Sequence, residues 1–340
     1  MVVKSTDIAI IGGGIQGTFL AYYAKRKYPD KTISLYESQI LGCGITSYAA
    51  HLHIPYGQGE KYGLTIESMA LFSELMQEYI DFPLLEIDLR FLCKKDTAHF
   101  HTMNVTSKEL IFDPFTYPFG DLPKDCLTIS GLPGYVSKRN LVNYLMEMLI
   151  RMGVKVYEGV IIGNVKRIEN KFSLMLQTGE TIFAAAVFNA TGKAIIRQLE
   201  VYGQHLRTKK VVALHIDTPA STDDPVYYFL DEDAFLLPQP YYGRYLFSFR
   251  SDMWDIDDNA PISITREDLE IGKKLLHTYG KPLSGRILGG QAYLDVYNKP
   301  SSSPLIYEVE NNFYVVGATG GSGIRLAPAI AIKALNKVVL

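Results

Sequence analysis

Three glycines with a fixed spacing and one carboxylate are the residues of this sequence whose chemistry is easiest to infer. Gly12, Gly14 and Gly17 form a G-x-G-x-x-G pattern directly after the apolar run at residues 8–11. The first glycine permits a tight turn, the second lets the backbone approach a diphosphate, and the third allows close helix–strand packing. Glu37 follows Gly17 by twenty positions, where a carboxylate accepts hydrogen bonds from ribose hydroxyls and repels a 2′-phosphate. The pattern predicts a site for FAD or NAD rather than NADP.

The elements that must position these residues follow from the spacing of apolar side chains. Residues 7–11 and 32–36 are short runs of strand formers, and residues 15–28 between them carry helix formers, which indicates a βαβ unit. Pro29 falls where the helix must stop. The same spacing predicts helices at 64–79, 138–152 and from 324 onward, and strands at 154–157, 172–176, 181–188 and 313–316, with a turn at 178–180.

A second glycine loop, at residues 317–323, favours FAD over NAD. An extended flavin must be held at its isoalloxazine end as well as at its ADP end, and a distant segment often supplies that contact. The helix after this loop would direct its amino terminus at the flavin N1/O2 edge. There it would stabilise the negative charge that develops on reduction.

The composition argues against several classes of function. The chain has 340 residues, 47% of them hydrophobic, and a formal net charge of −2. It can bury a large core and presents no basic footprint for nucleic acid or an anionic membrane. Cys43, Cys93 and Cys126 stand apart without a CxxC pair, which argues against a zinc site or a disulfide framework. The apolar start is too short for a membrane span or a signal segment, so we expect a cytoplasmic protein with a small-molecule substrate and no metal.

Five stretches carry a family resemblance, and they occur in the family's order: residues 8–17 with 35–38, then 42–57, 134–137, 188–192 and 320–328. They resemble the motifs of the FAD-dependent D-amino-acid oxidase and glycine oxidase group, the DAO superfamily. The resemblance implies an α/β fold: a Rossmann-like, glutathione-reductase-like FAD-binding domain with an interleaved antiparallel β-sheet substrate domain. The implied division gives residues 1–80, 131–200 and 301–340 to the FAD-binding domain, and residues 81–130 and 201–300, rich in aromatic strand-like runs, to the substrate domain.

The resemblance also implies which residues contact FAD, which we expect to be bound non-covalently. Contacts to the ADP half are expected from Gly12, Gly14, Ile15, Gln16, Gly17, Glu37, Ser38, Thr46 and Ser47, with the backbone of Ile162 at the adenine. Ala50, His51 and Leu52 are expected to skirt the flavin, and Ala190, Thr191 and Gly192 to pass the diphosphate. The closing loop is expected to approach the flavin through Gly321, Ser322, Gly323, Ile324, Arg325 and Leu326.

The sequence departs from the family where a substrate carboxylate would be held. Relatives use arginine there because its planar fork matches two oxygens, but residues 290–300 contain none and Gly321 stands at a second arginine position. The replacements we predict are Arg325, Arg250, Tyr241, Tyr242 and Tyr297. Structural roles stay open for each of them, such as a surface salt bridge for Arg250 and sheet packing for the tyrosines.

Two histidines are further candidates for substrate chemistry. His51 and His53 alternate with Leu52, so both side chains are expected on one side of the segment, where one would act as a base or a donor near neutral pH. Their use as structural hydrogen-bond donors is the alternative.

The resemblance implies oxidation of a C–N bond of an amine or amino acid by hydride transfer to flavin N5, followed by hydrolysis of the imine. Reduced flavin would then pass its electrons to oxygen or another acceptor. Two other functions stay open: oxidation of a 2-hydroxy acid or another alcohol with His51 or His53 as the base, and a flavoprotein without turnover that serves a partner chain. The oligomeric state is not predicted.

Overall fold

The structure is a computed structural model that describes residues 4–107, 110–112, 117–200, 206–257, 260–298, 301 and 303–340. Its helices are α1 (Ile15–Lys27), α2 (Glu60–Glu78), α3 (Ala98–Met103), α4 (Leu141–Arg151), α5 (Ile195–Glu200), α6 (Arg266–Gly280) and α7 (Gly323–Leu335). Its strands are β1 (Lys4–Ile11), β2 (Ile33–Tyr36), β3 (Leu52–His53), β4 (Leu84–Lys94), β5 (Ile111–Phe112), β6 (Cys126–Ser137), β7 (Lys155–Tyr157), β8 (Ile162–Ile168), β9 (Lys171–Leu176), β10 (Thr181–Asn189), β11 (Leu206–Ile216), β12 (Val226–Phe229), β13 (Ala234–Gln239), β14 (Arg244–Trp254), β15 (Ile287–Asn298), β16 (Leu305–Glu310) and β17 (Phe313–Gly317).

A mainly parallel sheet carries the glycine turn. Its order is β16-β17-β10-β1-β2-β7, in which the pairs from β17 to β7 are parallel and β16 runs antiparallel to β17. Residues 8–10 of β1 have no exposed surface, as expected for a parallel strand that is covered on both faces. The predicted βαβ unit is confirmed.

The two faces of β1 are covered by different kinds of structure. Ile8 and Ile10 pack into a core with side chains from α1, α2, α4 and α7. Ala9 and Ile11 pack into a second core with Phe172 of β9, a strand that pairs antiparallel with both β8 and β10. The predicted turn at 178–180 joins β9 to β10 and is confirmed. The sheet is therefore held between helices and an antiparallel layer.

A second sheet forms the other half of the molecule. Its order is β15-β11-β14-β13-β12-β4-β6-β3, with β5 beside β6, and all pairs are antiparallel except β12 with β4. Aromatic side chains such as Tyr227, Phe229 and Phe247 pack on one of its two buried faces. The predicted fold class, a parallel Rossmann-like sheet combined with an antiparallel one, is confirmed.

Helix α6 was not predicted, because its region was interpreted as β-rich. Thr265 and Asp268 form a capping box at its start, a signal that the sequence contains. Asp268 also accepts a 2.5 Å bond from the buried Lys210 ammonium of β11. A Cβ at Gly272 would lie 2.4 Å from a Leu214 methyl group, so glycine lets α6 lie close to the second sheet.

The resemblance assigns residues 1–80 and 131–200 to the FAD-binding domain, but part of each range forms strands of the second sheet. Strand β3, at residues 52–53, pairs with β6, and β6 runs without a break from Cys126 to Ser137. The predicted boundary at residue 130 therefore falls inside a strand. The predicted helix at 64–79 begins four residues earlier, at Glu60.

Candidate functional site

The glycine turn between β1 and α1 leaves no room for side chains on its inner side. Gly12 has a φ of +103°, and a Cβ there would lie 2.5 Å from the carbonyl oxygen of Ala190. A Cβ at Gly17 would lie 1.8 Å from the carbonyl oxygen of Gly12. No other residue type meets these constraints without movement of the backbone. The turn is thereby held against the end of β10.

The outer side of the same turn is open. A Cβ at Gly14 would meet only the Thr46 hydroxyl, at 3.4 Å, and Cβ atoms at Gly44 and Gly192 would meet nothing within 4 Å. Thr46 Oγ1 accepts a 3.2 Å hydrogen bond from the amide of Ile15, at the start of α1. The first turn of α1 contains no acidic residue. An open glycine backbone at a helix amino terminus favours an anion, so these residues fit the diphosphate of FAD.

Glu37 lies at the carboxyl end of β2 beside the glycine turn. Its Oε2 accepts a 2.7 Å hydrogen bond from Gly13 N, and its Oε1 accepts bonds from Gln39 N at 2.8 Å and Ser38 Oγ at 2.9 Å. A carboxylate offers about four lone-pair sites, and three are used, so about one remains for a sugar hydroxyl. The half-buried carboxylate is therefore fixed in place and fits the predicted ribose contact.

The backbone that approaches Glu37 comes from residues 159–160. Val160 N donates to the Glu37 carbonyl oxygen at 2.8 Å, and Gly159 N donates to Gln39 O at 2.9 Å. Ile162, predicted at the adenine, lies two positions further on and pairs with Leu176 in β8 and β9. The structure thus brings Val160, rather than Ile162, beside the ribose-binding candidate.

Segments that are distant in the sequence converge around the start of α1. Ala190 N donates to Ile11 O at 2.8 Å, and Gln16 Nε2 donates to Ala327 O of α7 at 3.3 Å. The predicted FAD contacts that are buried are Ile15, Gln16, Gly17, Thr46, His51, Ala190, Ser322, Ile324, Arg325 and Leu326. Those that are half-buried are Gly12, Gly14, Glu37, Ala50, Leu52, Ile162, Thr191 and Gly323, and those that are exposed are Ser38, Ser47, Gly192 and Gly321.

Both predicted histidines are bonded to protein groups. The ring of His53 has no exposed surface, its Nε2 forms a hydrogen bond with the Ser137 hydroxyl, and its centroid lies 4.6 Å from that of Phe72 in an edge contact. His51 Nε2 bonds to the carbonyl oxygen of Thr46 at 3.0 Å. The two rings therefore connect residues 51–53 to Thr46 on one side and to Ser137 of β6 on the other.

Burial keeps both histidines neutral. It lowers the pKa of His51 to about 4, an effect that Arg139 increases and the Thr46 carbonyl opposes. It lowers the pKa of His53 to about 3, with further lowering from His51 and Arg325. Protonation of either ring is thus unfavourable near pH 7, and each is a poor acceptor for a substrate proton.

These shifts predict a pH-dependent stability. Each histidine takes up a proton near pH 6.5 in the unfolded chain, but only near pH 3 to 4 in the folded chain. The stability from neutral burial is therefore complete above about pH 6.5 and is lost as the pH falls. We expect His53→Gln to reduce the slope of unfolding free energy between about pH 4 and 6 by up to about 1.4 kcal/mol per pH unit. Denaturant titrations at several pH values measure this slope.

The exposed His99 supplies the control for this experiment. His99→Gln should leave the slope unchanged, because its surroundings do not exclude water. An unchanged slope in His53→Gln would show that burial of this ring does not govern the acid stability.

Arg325 joins two parts of the candidate site. Its Nη1 donates to the carbonyl oxygens of Ile54 at 3.2 Å and Tyr56 at 2.5 Å, and its Nη2 donates to Ser322 Oγ at 2.8 Å. The residue is only 9% exposed. The guanidinium ties the segment after β3 to the closing glycine loop, and its contact with substrate stays a prediction.

The other predicted substrate residues are in different settings. Tyr297 is buried on β15, and its hydroxyl accepts a 3.4 Å hydrogen bond from Gly321 N of the closing loop. Arg250 is 41% exposed and forms an ion pair with Asp233. The exposed turn Pro240–Tyr242 carries the remaining two predicted tyrosines. Only Tyr297 reaches the closing loop; residues 299 and 300 of the stretch without arginine lie outside the described residues.

Two charged residues next to Tyr297 were missed by the sequence analysis. Lys61, in the first turn of α2, places its Nζ 5.8 Å from the Tyr297 ring centroid, and Asp295 is buried on β15. Burial raises the pKa of Asp295 to about 7, although Lys61 and Arg250 oppose the shift, and burial lowers the pKa of Lys61 to about 8. The only feature of the sequence that could have indicated a role for Lys61 is its position directly after the glycine-containing turn at 57–59.

The residues that the structure describes also bear on two other possibilities, metal ligation by clustered side chains and a helix that spans a membrane. Across the described ranges, no three His, Cys, Asp or Glu side chains cluster in a way that could hold a metal ion. Within the same ranges no helix is both long enough and apolar enough to cross a membrane. Cys43, Cys93 and Cys126 all carry free thiols.

Solved structures of known proteins share this fold. L-α-glycerophosphate oxidase from Mycoplasma pneumoniae with FAD bound has a TM-score of 0.79 at 16% identity, covering 99% of this chain and 95% of that chain. Glycine oxidase from Geobacillus kaustophilus has a TM-score of 0.78 at 17% identity, covering 98% and 95%. L-proline dehydrogenase from P. horikoshii has a TM-score of 0.77 at 17% identity, covering 98% and 93%. No curated protein sequence matches the chain significantly.

A family model identifies the chain more directly than these distant structures. The model described as "FAD dependent oxidoreductase", DAO, matches residues 7–334 and so includes the glycine turn, Glu37 and the closing loop. The family and the cofactor predicted from the order of the motifs are confirmed. The chain belongs to the DAO family of FAD-dependent oxidoreductases.

Proposed function

We propose that this oxidoreductase acts on a C–N bond of an amine or amino acid. The proposal depends on the state of His51 and His53, which are buried, neutral near pH 7 and bonded to protein groups. Oxidation of an alcohol requires a base that takes the hydroxyl proton during the oxidation itself, whereas an amine can be oxidised once it is in its neutral form. The two histidines are poorly suited to the role of that base, which favours the amine.

The proposal implies different roles for the two sheets: the first would bind the cofactor and the second would cover the substrate. Bound FAD supplies a two-electron acceptor. The first sheet would hold it without a covalent bond, through the glycine turn and the start of α1 at the diphosphate and Glu37 at the ribose. The Val160 backbone would contact the adenine in place of Ile162, residues 321–326 would face the ring, and the second sheet would cover the substrate.

Alcohol oxidation is the second candidate. Among the structures of similar fold, glycine oxidase and L-proline dehydrogenase are named for nitrogen compounds, but L-α-glycerophosphate oxidase is named for an alcohol. A fold shared at these identities supports either chemistry. For the electron acceptor we propose oxygen or another oxidant, and for the location the cytoplasm, where three free thiols stay reduced.

An anaerobic screen tests the proposed function. We expect loss of the oxidised-flavin absorbance when the purified holoprotein meets a suitable amine, D-amino acid or L-amino acid, and no loss with 2-hydroxy acids. An amine without an α-hydrogen is the negative control, because it has no hydride to give. Reduction by hydroxy acids alone would replace the proposal by the second candidate. Flavin that no compound reduces, in a protein that still binds a partner chain, would point to a role without turnover.

A further inference from the structure

The carboxylate of Asp295 is the least satisfied charged group of the candidate site. The residue is 5% exposed, and its Oδ2 has no hydrogen-bond partner among the residues that the structure describes. A buried carboxylate oxygen without a donor is unfavourable, and such atoms are rare in folded proteins. The oxygen therefore calls for a donor that a ligand would bring.

Asp295 lies against the loop that the family uses at the flavin. A Cβ added to Gly321 would lie 3.5 Å from Asp295 Oδ2, and two residues along β15 the Tyr297 hydroxyl meets the Gly321 amide. On the same strand Tyr293 stacks on Tyr48, with ring centroids 6.4 Å apart. This part of β15 thus contacts both the closing loop and the segment at residues 45–48 that is expected along the cofactor.

Among the surrounding cations, Lys61 has the largest effect on the pKa of Asp295. Lys61 lowers the carboxyl pKa more than Arg250 does, and Arg250 is already paired with Asp233. The titratable and charged groups around Asp295, by element, are Lys61 from α2, Lys209 from β11, Arg250 from β14, and Tyr293 and Tyr297 from β15, with Asp233 beside Arg250. Lys209 Nζ lies 4.5 Å from the Trp254 ring centroid.

We propose that Asp295 binds the ammonium group of the substrate through Oδ2 and accepts its proton, while Lys61 is a positioning residue that keeps the carboxylate ionised. The inference rests on the proposed function and specifies its substrate as a cationic amine. One N–H bond of the ammonium breaks and one O–H bond of the carboxyl forms, and no electrons change hands. The product is a neutral amine, whose lone pair is needed for oxidation of the adjacent C–H bond.

The geometry also explains how a site without the family's arginines selects its substrate. A buried, unpartnered carboxylate attracts a cation and rejects a neutral group of equal shape, which cannot supply the missing charge. The pKa of Asp295, about 7, keeps the carboxyl able both to ionise and to take up a proton near neutral pH.

Binding of an inert pair of probes tests this inference without turnover. tert-Butylamine has no α-hydrogen, and tert-butanol is its neutral counterpart; calorimetry on the holoprotein measures the affinity of each. We expect the wild type to prefer the amine by about tenfold or more, and Asp295→Asn to lose that preference while it binds the alcohol at least as tightly as the wild type does. Lys61→Met should move the pH midpoint of amine binding upward, because the cation that lowers the Asp295 pKa is gone.

Asp217→Asn is the matched control, since Asp217 is an exposed carboxylate at the end of β11. FAD retention and the unfolding midpoint show whether each variant is folded. If Asp295→Asn does not fold, the pH midpoint of amine binding in Lys61→Met still decides the test. Equal binding of both probes to the wild type, or an unmoved pH midpoint in Lys61→Met, overturns the inference. If amines reduce the wild-type flavin but Asp295→Asn keeps the amine preference, the inference fails alone; if no nitrogen compound reduces the flavin, the proposed function fails.

Discussion

Replacement of Gly12 by alanine is expected to yield a protein that no longer retains FAD. The new Cβ would lie 2.5 Å from the Ala190 carbonyl oxygen, on a backbone with a φ of +103°. A rotamer change relieves neither the contact nor the strained φ, because the obstructing atom belongs to the backbone directly after β10. We estimate a cost of about 3 kcal/mol or more, which corresponds to at least about a hundredfold loss of FAD affinity if the displaced turn is refitted on binding.

The measurement is the ratio of flavin to protein absorbance after gel filtration, followed by titration with added FAD. Gly63→Ala is the matched control: a Cβ at Gly63 in α2 meets nothing within 4 Å. Alanine there should be neutral or stabilise the helix by up to about 1 kcal/mol. Full FAD content in Gly12→Ala would show that the turn does not need the close approach seen here.

Loss of the Arg325 guanidinium is expected to be the most damaging side-chain change at the site. Arg325→Met would leave the carbonyl oxygens of Ile54 and Tyr56 and the Ser322 hydroxyl without their donor. Buried acceptors that lose a charged donor cost about 3 kcal/mol in total. Because these contacts join the segment after β3 to the closing loop, FAD affinity should fall together with the unfolding free energy.

Denaturant titration of the holoprotein and the apoprotein separates the two effects. The apoprotein reports the loss of stability, and the additional loss in the holoprotein reports the weakened cofactor site. Arg151→Met is the control, since the Arg151 side chain is 79% exposed and pairs with Glu147 only at 3.6 Å; it should change stability by no more than about 0.5 kcal/mol. Equal changes in the two variants would contradict a bridging role for Arg325.

The local part of the cofactor site was readable in the sequence. The strand, the glycine turn, α1 and Glu37 lie within the first 37 residues, and each has a steric or electrostatic requirement that few residue types meet. Strands β1, β10 and β17 of the first sheet were also predicted, because buried parallel strands show as uninterrupted apolar runs, whereas β8 and β16 were not. Helix α6 was missed because the aromatic, strand-like runs around it indicated a β-rich region, although the sequence contains the capping box at Thr265 and Asp268.

Long-range packing decided which charged groups meet at the candidate site. Lys61 and Asp295 are separated by more than two hundred positions, and the Arg325 guanidinium donates to the carbonyl oxygen of Ile54, 271 positions away in the sequence. His51 and His53 have the sequence pattern of reactive histidines, yet burial makes both neutral. A residue type fixes which proton a side chain can exchange, but desolvation and neighbouring charges fix the pH at which it does so. Those surroundings exist only once the two sheets have folded together.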